Sequence, residues 1–401
     1  MQRGCEAGCL ARFSGSVKLL TDLGRYRLVL GNPGESPDFE TYTFNANGWL
    51  VGWYRAGVSY RCGLDGRAKS SRYATHGGRR FLRSANLSTE ELCLEVQRAA
   101  QAVALWRDSG DARELPAVLL GKTPAQVGEA FQRVWPRVAI LPPDQYAAAV
   151  VQMTQGCAYN RCRFCSFYKD VPYRVQSAAE FDIHLNAVES FFEAELSERR
   201  GFFLAAANAA NADCDVLSRR LELLERQADN HSGWSKCWSG GVASFLDTFS
   251  QNERSLEQWR SLRDLGLKSL YLGIETGSVP LRRSWRKPGK PSEIIALAEK
   301  LKRAGMRLGV IVLSGADSDF IENAHNAATA QLLNQLPLDE RDNIYISEYQ
   351  PTNVWKDDAE YVEYRSACRR CTEELRAGLR FAAYPQGPVV SLYDVWQFLY
   401  I

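Results

Sequence analysis

No run of this sequence approaches the roughly 20 apolar residues needed to cross a bilayer, so no membrane-spanning helix is expected. The opening Met1-Gln2-Arg3-Gly4-Cys5-Glu6 lacks the apolar core of a signal peptide, which predicts a cytoplasmic protein. Excess charge is also missing. The formal net charge is only +2, so the molecule is not a polycation built to coat nucleic acid, and any basic recognition surface must be local. Histidine is scarce and scattered, with four residues, and none is assigned chemistry. Internal repeats and low-complexity tracts are absent.

What is present reads as ordinary globular sequence: 401 residues, 45% hydrophobic and 24% charged. At roughly 100–200 residues per domain, two or three domains are expected, large enough to bury a core without disulfide staples. Eleven cysteines in a cytoplasmic chain of this size are unsuited to a disulfide framework. Most, including Cys62, Cys93, Cys214 and Cys237, read as small packing residues, and any close cluster is a candidate metal or catalytic site.

The character of the chain changes at Leu141-Pro142-Pro143-Asp144, which reads as a linker. Before it, Tyr42–Tyr60 is rich in aromatic and β-branched residues punctuated by Asn47-Gly48 and Ala56-Gly57, which predicts short antiparallel strands. Ser88 and Glu91 have capping-box spacing and begin a helix with Leu92, Val96, Ala99 and Val103 on one face. A second helix is expected from Thr123-Pro124. After the linker, apolar runs at 149–154, 202–206, 242–246, 269–274, 308–313 and 343–346 alternate with amphipathic stretches. Ser177 and Glu180 cap one of these stretches, and Gly266 and Gly305 end two others. Such alternation predicts βαβ units and a parallel sheet. Six units fall short of the eight of a full barrel, so an open six-stranded partial barrel is expected, with its chemistry at the C-terminal strand ends.

The first of these strands runs into Gly156-Cys157-Ala158-Tyr159-Asn160-Arg161-Cys162-Arg163-Phe164-Cys165, with the spacing Cys-x4-Cys-x2-Cys. A structural zinc site needs four ligands, usually in pairs, and His184 is a poor fourth in mid-helix. A plant-type [2Fe-2S] ferredoxin shares the local spacing but needs a fourth cysteine; the next, Cys214, lies beyond a predicted helix and strand. Three thiolates without a fourth suit a [4Fe-4S] cubane with one iron left open. An iron–sulfur electron-transfer protein stays as the competing class.

This loop resembles the cysteine motif of radical S-adenosylmethionine (SAM) enzymes, whose more usual spacing is Cys-x3-Cys-x2-Cys, and Phe164 matches the motif's aromatic position. Leu272-Gly273-Ile274-Glu275-Thr276-Gly277 is similar to the superfamily's fourth strand end, which implies that Glu275 binds the SAM ribose. Asn208, after Phe202–Ala207, fits the position that grips the methionine amine, although Ala205-Ala206-Ala207 stands where Gly or Asp is usual. Ser244 in the third run and Gly309 in the fifth complete the cofactor-contact set that the resemblance implies. The stretch 146–350 with Ser391-Leu392-Tyr393-Asp394 is similar to bacterial radical SAM proteins of the oxygen-independent coproporphyrinogen oxidase type.

The resemblance implies an α/β fold with a partial (β/α)6 TIM-type barrel at 144–352, an N-terminal α+β domain at 1–143 covering the substrate, and a helical extension at 353–401. It implies a [4Fe-4S] cluster on Cys157, Cys162 and Cys165, SAM as cofactor, and an electron donor such as flavodoxin or ferredoxin. A SAM-binding module without turnover is the further alternative. Tyr345 and Glu348 are candidates to face substrate, and Tyr345 fits core packing equally well. The arginine-rich Arg61–Arg83 segment suggests a small anionic substrate, and neither a membrane nor a nucleic acid is an expected partner. Cys368-Arg369-Arg370-Cys371 could pair with Cys5 and Cys9 around a second cluster, or be incidental on a charged helix.

Overall fold

Ala56 and Gly57 take φ values of 48° and 77°, the left-handed pair that a two-residue hairpin requires. The computed structural model describes residues 17–22, 24–31, 39–109, 119–250, 253–315, 322–349, 357–383 and 387–401. The chain divides into two compact units, residues 1–72 with 84–128, and residues 73–83 with 129–401.

An antiparallel meander runs in sequence order, with residues 73–83 counted in the second unit and the rest in the first: β1 (Val17–Asp22), β2 (Arg25–Leu30), β3 (Glu40–Phe44), β4 (Leu50–Arg55), β5 (Val58–Cys62), β6 (Ala68–His76) and β7 (Arg79–Asn86). Helix α1 (Thr89–Asp108) starts at Ser88 with the reciprocal Ser88–Glu91 capping box that the spacing predicts. It buries Ala99, Ala102, Val103 and Trp106 against Leu28, Tyr42, Phe44 and Trp53 of the sheet. Helix α2 (Pro124–Val134) follows, with proline at its first position.

The second unit alternates strand and helix. Its elements are β8 (Ala149–Gln152), the short pair β9 (Thr154–Gln155) and β10 (Arg174–Val175), α3 (Ala178–Phe192), β11 (Phe202–Ala205), α4 (Cys214–Asn230), α5 (Ser232–Trp238), β12 (Val242–Leu246), α6 (Leu256–Asp264), β13 (Leu267–Glu275), α7 (Val279–Ser284), α8 (Pro291–Arg303), β14 (Arg307–Ser314), α9 (Glu322–Leu333), β15 (Asn343–Glu348), α10 (Asp358–Ala377) and β16 (Val389–Leu392). Seven strands form one parallel sheet in the order β16-β15-β14-β13-β12-β11-β8. The six apolar runs supply six of them. The seventh corrects the expectation of six strands and of a purely helical extension. β16 is a four-residue edge strand, exposed at both of its ends, so it carries no continuous apolar run.

Aromatic rings from neighbouring strands pack together on one face of this sheet, mostly edge to face. Phe203 of β11 meets Phe245 of β12 at 5.0 Å, Phe245 meets Tyr271 of β13 at 6.2 Å, and Tyr271 meets Tyr345 of β15 at 6.4 Å. Between β13 and β15, Gly309 on β14 leaves the space: a Cβ there would lie 2.2 Å from the Tyr271 ring. Asp144 ties this layer together. It accepts from the Tyr271 hydroxyl at 2.6 Å and the Tyr345 hydroxyl at 2.7 Å, and the Arg307 guanidinium stands 3.0 Å away. The expected linker at Leu141–Asp144 is therefore part of the second unit's packing, and Leu141 is fully buried. Tyr345, with its hydroxyl committed to Asp144, is buried in this layer.

Strand β8 lies at the other edge of the sheet, and side chains satisfy its outer backbone groups. The Val150 N–H donates to the Tyr400 hydroxyl at 2.9 Å, Trp135 Nε1 donates to the Val150 carbonyl at 3.0 Å, and the Gln152 N–H donates to His184 Nε2 at 2.9 Å. No helix among the described residues is long and apolar enough to cross a membrane.

Candidate functional site

The C-terminal ends of parallel strands converge, and there the peptide groups and loops of several units can reach one ligand. The Cys157–Cys165 loop leaves from this end of the sheet, just past β8 and β9. All three thiols are free and half-buried. Burial pushes the Cys162 thiol up to about 11, with Lys287 opposing and Glu275 adding to the shift. Burial raises Cys165 as well, and Glu275 is again among its charged neighbours. A thiol held neutral by burial becomes a ligand when a metal displaces its proton. The cysteine loop is anchored to the segment after α7: the Arg163 N–H donates to the Trp285 carbonyl at 2.9 Å, and the Tyr159 hydroxyl to the Arg286 carbonyl at 2.6 Å.

Asn208 sits in the loop after β11, and its Nδ2 points at Cys157 Sγ from 3.9 Å. The alanine run beside it is folded inward: Ala206 is buried, and its N–H donates to Thr154 Oγ1 at 2.9 Å. Glu275 ends β13 with φ of 65°, a left-handed conformation that non-glycine residues seldom adopt. Its carboxylate folds back over Gly273, where a Cβ would meet Oε1 at 2.6 Å. Lys287 Nζ faces the same oxygen at 3.5 Å. Phe164 packs on Trp285 with ring centres 5.2 Å apart, and Lys287 lies 5.9 Å from the Phe164 ring and 6.0 Å from that of Phe249.

Two of the expected residues are engaged elsewhere. Ser244 is fully buried in β12, and its hydroxyl donates to the Leu204 carbonyl at 2.9 Å. Gly309 belongs to the aromatic layer. Glu348, at the end of β15, is paired with Arg365 at 3.1 Å, and burial raises its carboxyl above the usual range. Cys368 and Cys371 are buried on α10; Cys368 packs so close to Gly315 that a Cβ there would lie 2.7 Å from its sulfur. Cys5 and Cys9 lie outside the described residues.

Sequence reasoning missed Lys287 and Arg282. Arg282 is 2% exposed and donates to the carbonyls of Ile274 at 2.8 Å, Thr276 at 3.1 Å and Gly289 at 2.9 Å, and also to that of Pro288. It thus braces both neighbours of Glu275. An Arg-rich stretch such as Leu281-Arg282-Arg283 ordinarily signals a solvated face.

The Arg61–Arg83 segment resolves into β5, β6 and β7. At its tip Arg83 pairs with Asp358 of α10, and Arg80 stacks 3.8 Å over the Tyr73 ring. Ala74 and Phe81 pack on Tyr361 and Val362 of that helix.

Among the described residues, no three Cys, His, Asp or Glu side chains converge on a single metal ion. The three-cysteine loop fits a cubane, in which each thiolate takes a separate iron corner and the sulfurs need not meet at one point.

Residues 151–323 match the family described as the Radical SAM superfamily. Its members are enzymes that bind a [4Fe-4S] cluster and SAM. No curated protein matches the sequence. Similar solved structures include the radical SAM methyltransferase TsrM from Kitasatospora setae with cobalamin and a [4Fe-4S] cluster bound, at 13% identity and TM-score 0.37, covering 53% of this chain and 40% of that one. Coproporphyrinogen III oxidase (HemN) from Escherichia coli is similar at 14% identity and TM-score 0.37, covering 61% of this chain and 56% of that one. Methylornithine synthase (PylB) is similar at 13% identity and TM-score 0.36, covering 61% and 71%. The chain thus spans less than half the length of the methyltransferase.

Proposed function

We propose that Cys157, Cys162 and Cys165, within the stretch 151–323 that matches the Radical SAM superfamily, hold three irons of a [4Fe-4S] cluster and leave the fourth open to SAM. The observation that carries this reading is the grouping of three half-buried thiols, the Asn208 amide and the Glu275–Lys287 pair at one end of the parallel sheet. When bound, the cluster and SAM supply reductive cleavage of a C–S bond and a 5′-deoxyadenosyl radical that takes hydrogen from a substrate. The chain's own residues orient and shield. The Asn208 side-chain carbonyl accepts from the methionine amine. Glu275, held at its strained φ between the two carbonyls that Arg282 grips, accepts from the ribose hydroxyls. Phe164, Trp285 and Phe249 wall the site with apolar surface and keep water from a reactive intermediate.

The substrate in this reading is a small anionic molecule, and the electron comes from a flavodoxin- or ferredoxin-type donor. The test is anaerobic reconstitution followed by SAM and dithionite. A turnover enzyme releases 5′-deoxyadenosine, and the Cys157/Cys162/Cys165→Ala variant stays colourless and releases none. SAM bound but uncleaved would leave only a binding module. A cluster that ignores SAM would return the electron-transfer reading.

A further inference from the structure

The gap between the first two cysteines is shaped at Asn160. This residue has φ of 46°, in the left-handed region that asparagine tolerates better than most side chains. Its N–H points at Cys157 Sγ from 3.4 Å, and its Nδ2 donates to the Tyr168 carbonyl at 2.7 Å. The Asn160 carbonyl accepts from Lys169 Nζ at 2.9 Å, and the same ammonium donates to the Cys162 carbonyl at 2.9 Å. One amide and one ammonium therefore close the four-residue gap onto the far end of the loop. All of these bonds run between residues 157 and 169, and the Lys169 side chain is exposed rather than part of the packing of the sheet.

We propose that Asn160 and Lys169 are positioning residues that hold the Cys157–Cys165 loop in the shape that receives the cluster. The inference rests on the reading of these thiols as cluster ligands. A slack loop would lose its conformational freedom when the metal bound, and that loss would weaken the grip on iron. The braced loop meets this cost on folding, so the three sulfurs are presented together. Lysine suits the task because a single ammonium offers three donors to two carbonyls.

The experiment uses the full chain, reconstituted anaerobically with ferrous iron and sulfide, and follows iron loss to a chelator by visible absorbance. Lys169→Met should release iron about tenfold faster than wild type, and Lys169→Arg, which restores the donors, should return to within about twofold. Asn160→Gly keeps the left-handed backbone but lacks the amide, and should release iron as fast as Lys169→Met. The metal-free variants should melt within about 2 °C of wild type, since the bonds are local. Wild-type release rates in both Lys169→Met and Asn160→Gly, or no recovery in Lys169→Arg, overturn the inference while leaving the cluster assignment intact. A wild-type chain that takes up no iron defeats the cluster assignment itself, and the positioning role with it.

Discussion

The Lys287 ammonium stands 3.5 Å from the Glu275 carboxylate, with the two side chains only 9% and 12% exposed. A pair so withdrawn from water is screened little by salt, and each partner leaves the other's charge costly to bury if it is removed. Glu275→Ala should retain the cluster and weaken SAM binding about 10–150-fold, the loss of a charge-assisted bond worth ~1.5–3 kcal/mol. The double variant with Lys287→Met should show a coupling of ~0.5–3 kcal/mol in SAM affinity. Calorimetric titration of SAM checks both, and an unchanged dissociation constant in Glu275→Ala would reduce that residue to a structural carboxylate.

Gly309→Ala should destabilise the fold by at least ~1–3 kcal/mol, because the new methyl group enters the Tyr271 ring. Adding Tyr271→Leu should recover part of the loss by vacating that space. Urea unfolding of the metal-free protein reads both effects. Wild-type stability in the single variant would mean that the aromatic layer yields more easily than its spacing suggests.

His184 makes the fold sensitive to acid. Burial lowers its pKa from 6.5 to about 4, and the Gln152 N–H needs the neutral ring's lone pair at Nε2. The unfolded chain takes up a proton near pH 6.5 and the folded chain does not, so stability is flat above that pH and falls as pH drops toward 4. The loss should reach about 2 kcal/mol at pH 5. His184→Gln should flatten this part of the pH profile of urea midpoints, and an identical slope in both proteins would assign the acid sensitivity to other groups.

Arg83→Gln should loosen the 73–83 hairpin on α10 by roughly twofold in local opening, the modest effect of a partly exposed ion pair. Exchanging the charges, Arg83→Asp with Asp358→Arg, should restore it. Amide exchange across residues 73–83 provides the measurement. Equal exchange in all three proteins would free Arg83 for a role in substrate binding.

Much of this structure is legible in the sequence because the relevant signals are local. Ser88 with Glu91 and Ser177 with Glu180 announce their helices within four residues, and both capping boxes form. The cysteine loop is likewise visible as a single string. What escapes reading depends on partners far along the chain. Asp144 looks like a linker residue until Tyr271 and Tyr345 reach it across 127 and 201 residues. Arg282 and Lys287 look like solvated charges until the turn after β13 folds around them. Gly309 has no local reason to be glycine, since its reason is a ring on the neighbouring strand.

The side-chain cap along β8 also bears on how the molecule behaves at high concentration. An exposed parallel edge offers free N–H and C=O groups at alternate residues, a template on which a second chain can add a strand. Here Tyr400, Trp135 and His184 already occupy those groups at Val150 and Gln152. They terminate the sheet without closing it into a ring. Removing any one of them would expose part of that template, so the first symptom of damage at this edge should be self-association.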